Sequence, residues 1–273
     1  MDVQHYDLTV VRAIDLTPHM RRVTFTAPNL AGFRSVSPDQ QVKIFLPPPG
    51  HDVPVIPPMP EDRDITTWYA AYLAMDDAIR PAMRTYTIRA HRDEPAELDI
   101  DFVLHDDAGP ASAWAAGAVP GQRIAMVGPS VSHVRTPASY DWMLLAGDES
   151  ALPAIAAVLE TLPDGMYARV FVEVAGPQEE QLLETKADLD LTWVHRGPGD
   201  LLLRAVEQFA PPAGEPYVWL AGEAGAVRAL RRHFVNDRGV PKSSIVFVGY
   251  WRRALSQDAP PTAEDLADAT EQV

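Results

Sequence analysis

The first half of the chain has the alternation of hydrophobic and polar positions that is typical of β-strands. Over residues 98–104 apolar side chains occupy every second position, and Asp99 and Asp101 lie between them. Because side chains alternate between the two faces of a strand, this pattern predicts a half-buried strand. Residues 20–25 and 41–46 form further short strand-like runs. Several short strands of this kind predict a β-barrel.

The pattern changes after about residue 137, where apolar strands begin to alternate with helices. Strands are predicted over 142–146, 168–174, 189–195, 217–221 and 244–248, and helices over 151–162, 199–209 and 224–236. This alternation predicts a parallel sheet with helices on its faces. We therefore predict a β-barrel domain over 1–138, an α/β domain over 139–254 and a tail over 255–273. Thr262 and the acidic residues after it predict a short helix in the tail.

A proline-rich segment interrupts the barrel region. Seven prolines lie between residues 47 and 60. Proline fixes φ and removes a backbone donor, so the segment up to residue 66 is predicted to be an extended surface loop. Two interpretations remain open, a lid over a site and a tolerated insertion with no role.

Composition narrows the functions that the chain can carry. Its 273 residues favour two domains, and it contains no cysteine. Disulfides, Fe–S clusters and cysteine-ligated zinc are therefore excluded, so redox chemistry would need a bound cofactor. The net charge of −15 disfavours nucleic acid and anionic lipid as partners. Neither a membrane span nor a secretory signal is apparent in the sequence, so we expect a cytoplasmic protein.

The strongest local signal for chemistry is the segment 84–89, with the sequence RTYTIR. On a strand, Arg84 and Tyr86 share one face while Thr87 lies on the other. A guanidinium can pair with phosphate, an aromatic ring can pack on a cofactor, and a hydroxyl can bond the polar edge of a flavin. The segment fits a flavin site, and it fits equally a strand with a half-exposed tyrosine and two solvated arginines.

A second signal follows about twenty residues later. After His105 the chain turns at Gly109 and enters a short helix that contains Ser112 and Trp114. The start of a helix offers unpaired N–H groups to a pyrophosphate, and a serine adds a hydroxyl donor. The alternatives are that Trp114 is a core residue and that His105 is a structural hydrogen-bond partner.

Five segments in one order resemble the siderophore-interacting proteins, which are FAD-containing ferric-siderophore reductases. The segments are 84–89, 109–115, 147–155, 222–223 and 249–252, and the resemblance extends over about residues 6–253. It implies a Greek-key FAD-binding β-barrel followed by a three-layer parallel-sheet NAD(P)H-binding domain, as in ferredoxin reductases. Lys and Arg side chains in a cleft would attract the anionic ferric siderophore.

Individual site residues follow from the resemblance. FAD would contact Arg84, Thr85, Tyr86, Thr87, His105, Gly109, Ala111, Ser112, Trp114, Asp148, Ser150, Tyr250 and Trp251. The carboxylates of the loop at 148–150 would repel a pyrophosphate, so this loop is expected to meet flavin or nicotinamide. An aromatic at 250 or 251 would cover the flavin; the alternative is a buried contact at the domain interface.

The remaining residues concern the electron donor and the substrate. Glu223, Arg228 and Arg231 are expected at the nicotinamide nucleotide, where a guanidinium would favour NADPH; the alternative is a solvated helix face. Lys43, Arg252 and Arg253 are expected to bind the ferric siderophore. Relatives often carry a basic residue where this chain has Ser130, so His133 or Arg135 could supply part of the cluster.

The predicted function is reduction of siderophore-bound Fe(III) with electrons from NAD(P)H through FAD. Fe(II) binds hard oxygen donors less tightly than Fe(III) does, so reduction promotes release of the iron. No protein-bound metal is expected. NADPH, NADH and ferredoxin remain possible donors. The alternatives are a general NAD(P)H-dependent flavin or ferredoxin-type reductase, and a non-catalytic carrier of iron chelates.

Overall fold

The structure, a computed structural model, describes residues 4–61, 64–105, 109–129, 140–253, 255 and 260–271. The chain divides into two compact units, Met1–His133 and Val134–Val273. None of the helices in the described ranges combines the length and hydropathy that a membrane span requires. The same ranges contain no group of His, Asp and Glu side chains arranged to hold a metal ion.

The first unit contains one antiparallel sheet of seven strands. These are β1 (Gln4–Thr17), β2 (Met20–Thr26), β3 (Gln41–Leu46), β4 (Ala82–Thr87), β5 (Ala90–Arg92), β6 (Glu97–Val103) and β7 (Arg123–Gly128). Their order in the sheet is β4-β3-β7-β1-β2-β6-β5. The edge strands β4 and β5 are consecutive in the chain, and between them the Arg89 amide donates to the Asp99 carbonyl of β6 at 2.9 Å. The sheet curls on itself, which confirms the predicted barrel class.

The interior of the curled sheet holds a continuous apolar core. Leu8, Phe25, Ile44 and Ile100 from four strands are fully buried there. Helix α2 (Pro110–Ala116) adds two buried alanines to the same core. Small side chains allow this short helix to pack closely against β2, β3, β4 and β6. The segment that follows β6 is thereby fixed against the barrel.

The predicted exposure of the polar side of β6 is wrong. Asp99 and Asp101 are 5% and 6% exposed, because arginines from neighbouring strands cover them. Arg92 donates to both oxygens of Asp99 at 2.7 and 2.9 Å, and Arg22 binds Asp101 in the same bidentate way at 2.7 and 2.8 Å. Paired charges can be buried where single ones cannot. The sheet is therefore covered on both sides over β6.

We predict that this ion-pair ladder makes the stability of the protein sensitive to acid. Burial acts to raise the pKa of Asp99, but hydrogen bonds from Arg92 and Thr24 outweigh it and leave the pKa below its usual value. The hydrogen bond from Arg12 likewise lowers the pKa of Glu97. A carboxyl whose native pKa is lowered contributes stability above about pH 4, and that contribution is lost as the pH falls further.

The test is the urea midpoint of unfolding between pH 3 and pH 6 for the wild type and Asp99→Asn. The variant should be less stable by about 2 to 3 kcal/mol at pH 6. It should also lose less stability than the wild type on acidification. Asp52→Asn, at an exposed position of the proline-rich segment, is the control and should follow the wild-type curve. Parallel pH curves for Asp99→Asn and the wild type would contradict the prediction.

Over the described residues 47–61 the proline-rich segment is an extended loop, as predicted, and helix α1 (Ile65–Leu73) begins before residue 66, the predicted end of the loop. Asp64 accepts hydrogen bonds from the amides of Thr66 and Thr67 and caps this helix. Trp68 and Tyr72 bury their rings against Phe45 on the outer face of the sheet. The Trp68 indole N–H also donates to the Pro57 carbonyl at 2.8 Å. The loop and α1 thus pack together on one face of the barrel.

The second unit contains one parallel sheet. Its strands are β8 (Trp142–Asp148), β9 (Tyr167–Val174), β10 (Asp188–His195), β11 (Pro216–Glu223) and β12 (Ile245–Trp251), in the order β10-β9-β8-β11-β12. The helices are α3 (Leu152–Leu159), α4 (Leu201–Glu207) and α5 (Ala224–Arg232). Helix α3 contacts β8, and α4 and α5 contact each other; with this strand order, the rule that parallel crossovers are right-handed puts α3 on one face of the sheet and α4 and α5 on the other. This arrangement confirms the predicted three-layer α/β fold.

The tail forms the predicted helix, α6 (Ala263–Glu271). Its start is a reciprocal capping box: the Thr262 amide donates to Asp265 at 2.7 Å, and the Asp265 amide donates to the Thr262 hydroxyl at 3.2 Å. The acidic face of α6 makes ion pairs with Arg228 of α5 and with Arg252 after β12. The tail is therefore attached to the second unit by charge.

Candidate cofactor and nucleotide sites

The two motifs of the first unit meet around one phenylalanine. The ring centroid of Phe102 on β6 lies 4.5 Å from that of Tyr86 and 5.8 Å from that of Trp114. Trp114 also stacks on Phe25 at 6.1 Å. The indole is thus packed against the barrel core, as the alternative interpretation expected. Tyr86 is half-buried, and burial raises the pKa of its phenol.

Arg84 shares a face of β4 with Tyr86. Paired residues of an antiparallel ladder lie on the same face, and Arg84 and Tyr86 pair with the core residues Ile44 and Val42 of β3. The half-buried Arg84 donates from Nη1 to the Met83 carbonyl at 2.7 Å. Thr87, at the end of β4, is buried. The strand therefore presents a guanidinium and a phenol together.

The start of α2 lies close to this strand. The Ser112 hydroxyl accepts a hydrogen bond from the His105 amide at 2.9 Å, which ties the helix to the segment that follows β6. His105 and Gly109 are exposed, whereas Ala111 and Ser112 are buried. A Cβ atom added at Gly109 would meet no heavy atom within 4 Å, so the space beside the helix start is open. The first amides of a helix have no acceptor within the helix.

These residues fit a dinucleotide flavin such as FAD. Arg84 and the free amides at the start of α2 can pair with phosphates, and Tyr86 offers a ring to an isoalloxazine, whereas Thr85 and Thr87 lie on the opposite face of β4, where the Thr85 hydroxyl is bonded to Lys43. Contact between α2 and β4 brings both sets into one region of the barrel. The fit rests on the open helix start and on the chemistry of this donor set.

Lys43 lies on the other face of the sheet. It pairs with Thr85 in the ladder between β3 and β4, and its Nζ donates to the Thr85 hydroxyl at 2.5 Å. Burial lowers the pKa of the Lys43 amine. Phe45, which shares this face, packs under α1. The predicted substrate lysine and the predicted flavin arginine are therefore on opposite faces of neighbouring strands.

In the second unit, Asp148 joins the ends of three strands. Its Oδ1 accepts from the Ser150 amide and hydroxyl at 2.9 and 2.5 Å, and its Oδ2 accepts from the Glu223 amide and the Trp251 indole, both at 2.8 Å. Burial raises the pKa of Asp148. Four predicted site residues thus meet at the carboxyl edge of the sheet. Their polar atoms face one another, which makes Asp148 a structural anchor for Trp251.

Gly222 allows this anchor to form, and its replacement is predicted to break it. Its φ is +134°, and a Cβ atom there would lie 2.6 Å from Oδ2 of Asp148. Gly222→Ala is expected to destabilise the protein by about 2 to 4 kcal/mol, through backbone strain together with displacement of a buried carboxylate.

Urea unfolding measures this effect, and Gly165→Ala is the matched control. Gly165 also has a positive φ, +73°, but an added Cβ would meet nothing within 4 Å. The control should therefore show only the cost of the backbone conformation, about 1 kcal/mol. Equal losses at the two positions would mean that the contact with Asp148 contributes nothing.

Next to this anchor lies an ion-pair cluster that the sequence did not reveal. Arg196 follows β10 and donates from Nη2 to both oxygens of Glu149 at 2.7 and 2.5 Å. Its Nε donates to Glu173 near the end of β9 at 3.4 Å. Burial raises the pKa of Glu173. Glu149, expected to meet flavin or nicotinamide, is thus paired with an arginine. An acidic residue at the end of the second parallel strand was the signal that could have indicated this cluster.

The arginines expected at the nucleotide have partners within the second unit. Arg228 contacts Glu264 and Asp268 of α6, both at 3.0 Å. The guanidinium of Arg231 lies over the Phe247 ring, 4.3 Å from its centroid. An anionic ligand at Arg228 would have to compete with the α6 carboxylates. Glu223 caps α5 through the Ala226 amide at 2.8 Å.

The residues at the end of β12 are also engaged. Arg252 donates to Asp265 at 2.9 Å and to the Pro260 carbonyl at 3.0 Å. The amide of the exposed Arg253 donates to Glu223 at 3.2 Å. Tyr250 packs edge-on against Trp219, with ring centroids 6.5 Å apart. His133, Arg135 and Ser130 lie outside the described residues.

Comparison with known proteins places the chain in a family. Residues 9–133 match the siderophore-interacting FAD-binding domain, and residues 140–254 match the siderophore-interacting protein family. The ferric vibriobactin reductase of Vibrio cholerae is 30% identical, over 92% of this chain and 91% of the relative. The NADPH-dependent ferric-chelate reductase of Escherichia coli is 29% identical, over 92% and 94%.

A solved structure supports the same assignment. The crystal structure of a siderophore utilization protein from T. fusca matches with a TM-score of 0.80 and 36% identity, over 94% of this chain and 95% of that one. The similarity covers both units and both motif groups described above. The chain therefore belongs to the siderophore-interacting protein family.

Proposed function

We propose that this protein is a ferric-siderophore reductase that uses NADPH as electron donor and FAD as cofactor. The observation that carries the proposal is the match over nearly the full length to reductases named for ferric vibriobactin and for NADPH-dependent ferric-chelate reduction. The match includes both the FAD-binding domain and the parallel-sheet unit that follows it. A chain with these two domains can bind an electron donor, a cofactor and an electron acceptor.

The first unit would hold the cofactor. Arg84 and the amides at the start of α2 would bind its phosphates, and Tyr86 would pack on the ring system. When bound, FAD supplies the conversion between a two-electron hydride donor and a one-electron iron acceptor. The barrel core behind Phe102 gives Tyr86 and α2 a rigid support. His105, Gly109, Ala111 and Ser112 would lie beside the phosphates, as the resemblance implies.

The acceptor would be drawn to cationic side chains. The net charge of −15 repels an anionic ferric chelate at long range, so binding needs a local positive group. Lys43 supplies one, with its amine oriented by Thr85. Arg252 and Arg253 are further predicted contacts, and Arg252 would exchange its bond to Asp265 for the ligand.

The chain's own contribution to the reaction is positioning and charge. Transfer of electrons to iron requires no side chain to give or take a proton, and Asp148 has a structural task instead. It fixes the Trp251 indole at the end of β12, where an aromatic is predicted to cover the flavin. Loss of that contact would leave the indole free to reorient.

The test is anaerobic production of Fe(II). Holoprotein, NADPH and a ferric catecholate or hydroxamate siderophore are mixed with a chelator that colours only with Fe(II). Colour should form at a rate proportional to the protein and should require NADPH. If no Fe(II) forms with either siderophore class, while a neutral dye is reduced, the protein is a general flavin reductase instead.

Other parts of the proposal remain predictions. The domain limits near residues 138 and 254 are proposed from the sequence, as are the individual cofactor and substrate contacts. A cytoplasmic location is likewise proposed from the sequence alone. Ferredoxin is retained as an alternative donor, and replacing NADPH with reduced ferredoxin in the Fe(II) assay tests it.

A further inference from the structure

We propose that Arg196 is the residue that recognises the 2′-phosphate of NADPH, and that Glu149 and Glu173 adjust its affinity by competing for the same guanidinium. The inference rests on the proposed use of a nicotinamide nucleotide. It differs from the sequence-based assignment, which placed the phosphate near Arg228 and Arg231.

The position of Arg196 in the sheet is the first argument. The strands of the second unit are parallel, so the residues after β8, β9 and β10 lie along one edge. In open α/β sheets, ligands bind outside the carboxyl ends of the strands, beginning where the strand order reverses. The reversal here lies between β8 and β11. A nucleotide that extends from there across β9 reaches the residue after β10, which is Arg196.

The residue types at this edge are the second argument. An acidic side chain at the end of the second strand accepts a hydrogen bond from the adenosine ribose in NAD-binding sheets, and a nearby arginine accommodates the extra phosphate of NADP. Glu173 occupies the first position, as the residue before the last of β9. Arg196 is bonded to it at 3.4 Å. The chain thus carries both groups in contact with each other.

The exposure and the hydrogen bonds of the Arg196 guanidinium are the third argument. The Arg196 side chain is 43% exposed, and among the described residues its Nη1 has no hydrogen-bond partner. Arg228, by contrast, is 21% exposed and lies among three carboxylates of α6. Arginine presents a planar fork that matches phosphate. The exposed side of the Arg196 guanidinium, which carries Nη1, can therefore donate hydrogen bonds to a phosphate.

The two glutamates define how tightly the phosphate binds. Glu149 takes both hydrogen bonds from Nη2, and its side chain is 14% exposed. A phosphate that arrives must share the guanidinium with this carboxylate and is repelled by it. Removal of the Glu149 charge should therefore strengthen binding of a 2′-phosphate. Removal of Arg196 should abolish the preference for it.

Calorimetry on the holoprotein tests the proposal without turnover. The probes are 2′,5′-ADP, which carries the 2′-phosphate, and 5′-AMP, which lacks it. Arg196→Ala should weaken 2′,5′-ADP binding by about 10- to 100-fold and leave 5′-AMP within about threefold, because one charge-assisted contact is lost. Glu149→Gln should tighten 2′,5′-ADP several-fold. Lys186→Ala, which removes the same charge at the opposite end of β10, is the control and should change neither.

Kinetics give the second measurement. Arg196→Ala should lower kcat/KM for NADPH through KM and leave kcat/KM for NADH unchanged. The assignment would be overturned if Arg196→Ala lowered kcat/KM equally for NADPH and NADH, or lowered it for neither. It would also be overturned if Glu149→Gln bound 2′,5′-ADP more weakly than the wild type. Failure of the proposed function is distinguishable, because wild-type protein would then bind 2′,5′-ADP without producing Fe(II).

Discussion

Arg84→Ala is expected to bind FAD about 10- to 100-fold more weakly than the wild type. Arg84 is half-buried on the face of β4 that also carries Tyr86, and α2 contacts this strand. A phosphate in that region loses its charged partner when the guanidinium is removed. The other contacts of the cofactor remain, so binding should weaken without being abolished.

Fluorescence titration of apoprotein with FAD measures this effect. Arg123→Ala removes an exposed arginine at the start of β7 and is the matched control. Arg84→Lys should recover part of the affinity, since an ammonium keeps the charge and loses the bidentate geometry. If Arg84→Ala binds FAD as Arg123→Ala does, Arg84 does not contact the phosphates.

Lys43→Glu is the second change with a large expected effect. It should lower kcat/KM for an anionic ferric siderophore by about 10- to 100-fold, because an attractive charge is replaced by a repulsive one in a chain that is already strongly acidic. Reduction of a neutral dye by the same variant should be unchanged. The expected signature is therefore a selective loss and not a general one.

Lys43→Met separates charge from packing. Methionine keeps most of the side-chain length and removes the amine that bonds Thr85, so its effect on the siderophore should lie between those of wild type and Lys43→Glu. High salt should reduce the difference between the variants, because the attraction is electrostatic. A parallel loss with the anionic siderophore and the neutral dye would indicate damage to the barrel and would remove Lys43 from the substrate site.

The elements of the fold were predictable where local pattern decides them. Strand β3 was predicted with the bounds that it has, since its apolar run is short and clearly limited. The long strand β1 was missed, because its register shifts at Val10/Arg12 and at Asp15/Thr17 break the alternation. Helix α1 was hidden by the prolines before it. The burial of Asp99 could not be foreseen, because the arginine that covers it comes from another strand.

The functional sites, like the fold, contain some features that could be predicted from the sequence and others that could not. The two barrel motifs were identified from their residue types, and the structure brings them together around Phe102. In the second unit the decisive contacts join distant parts of the chain: Trp251 reaches Asp148 from 103 positions away, and Arg196 reaches Glu149 from 47. The pairing of Arg228 and Arg252 with α6 likewise depends on where the tail folds. Apart from the acidic residue at the end of β9, sequence pattern contains no direct signal for such contacts.

Visible absorbance of the holoprotein under anaerobic conditions tests the central claim most directly. One equivalent of NADPH should bleach the flavin band, and two equivalents of a ferric siderophore should then restore it, with Fe(II) appearing in the same proportion. Bleaching that the ferric siderophore does not reverse, or a protein that takes up no flavin, would contradict the assignment as a ferric-siderophore reductase.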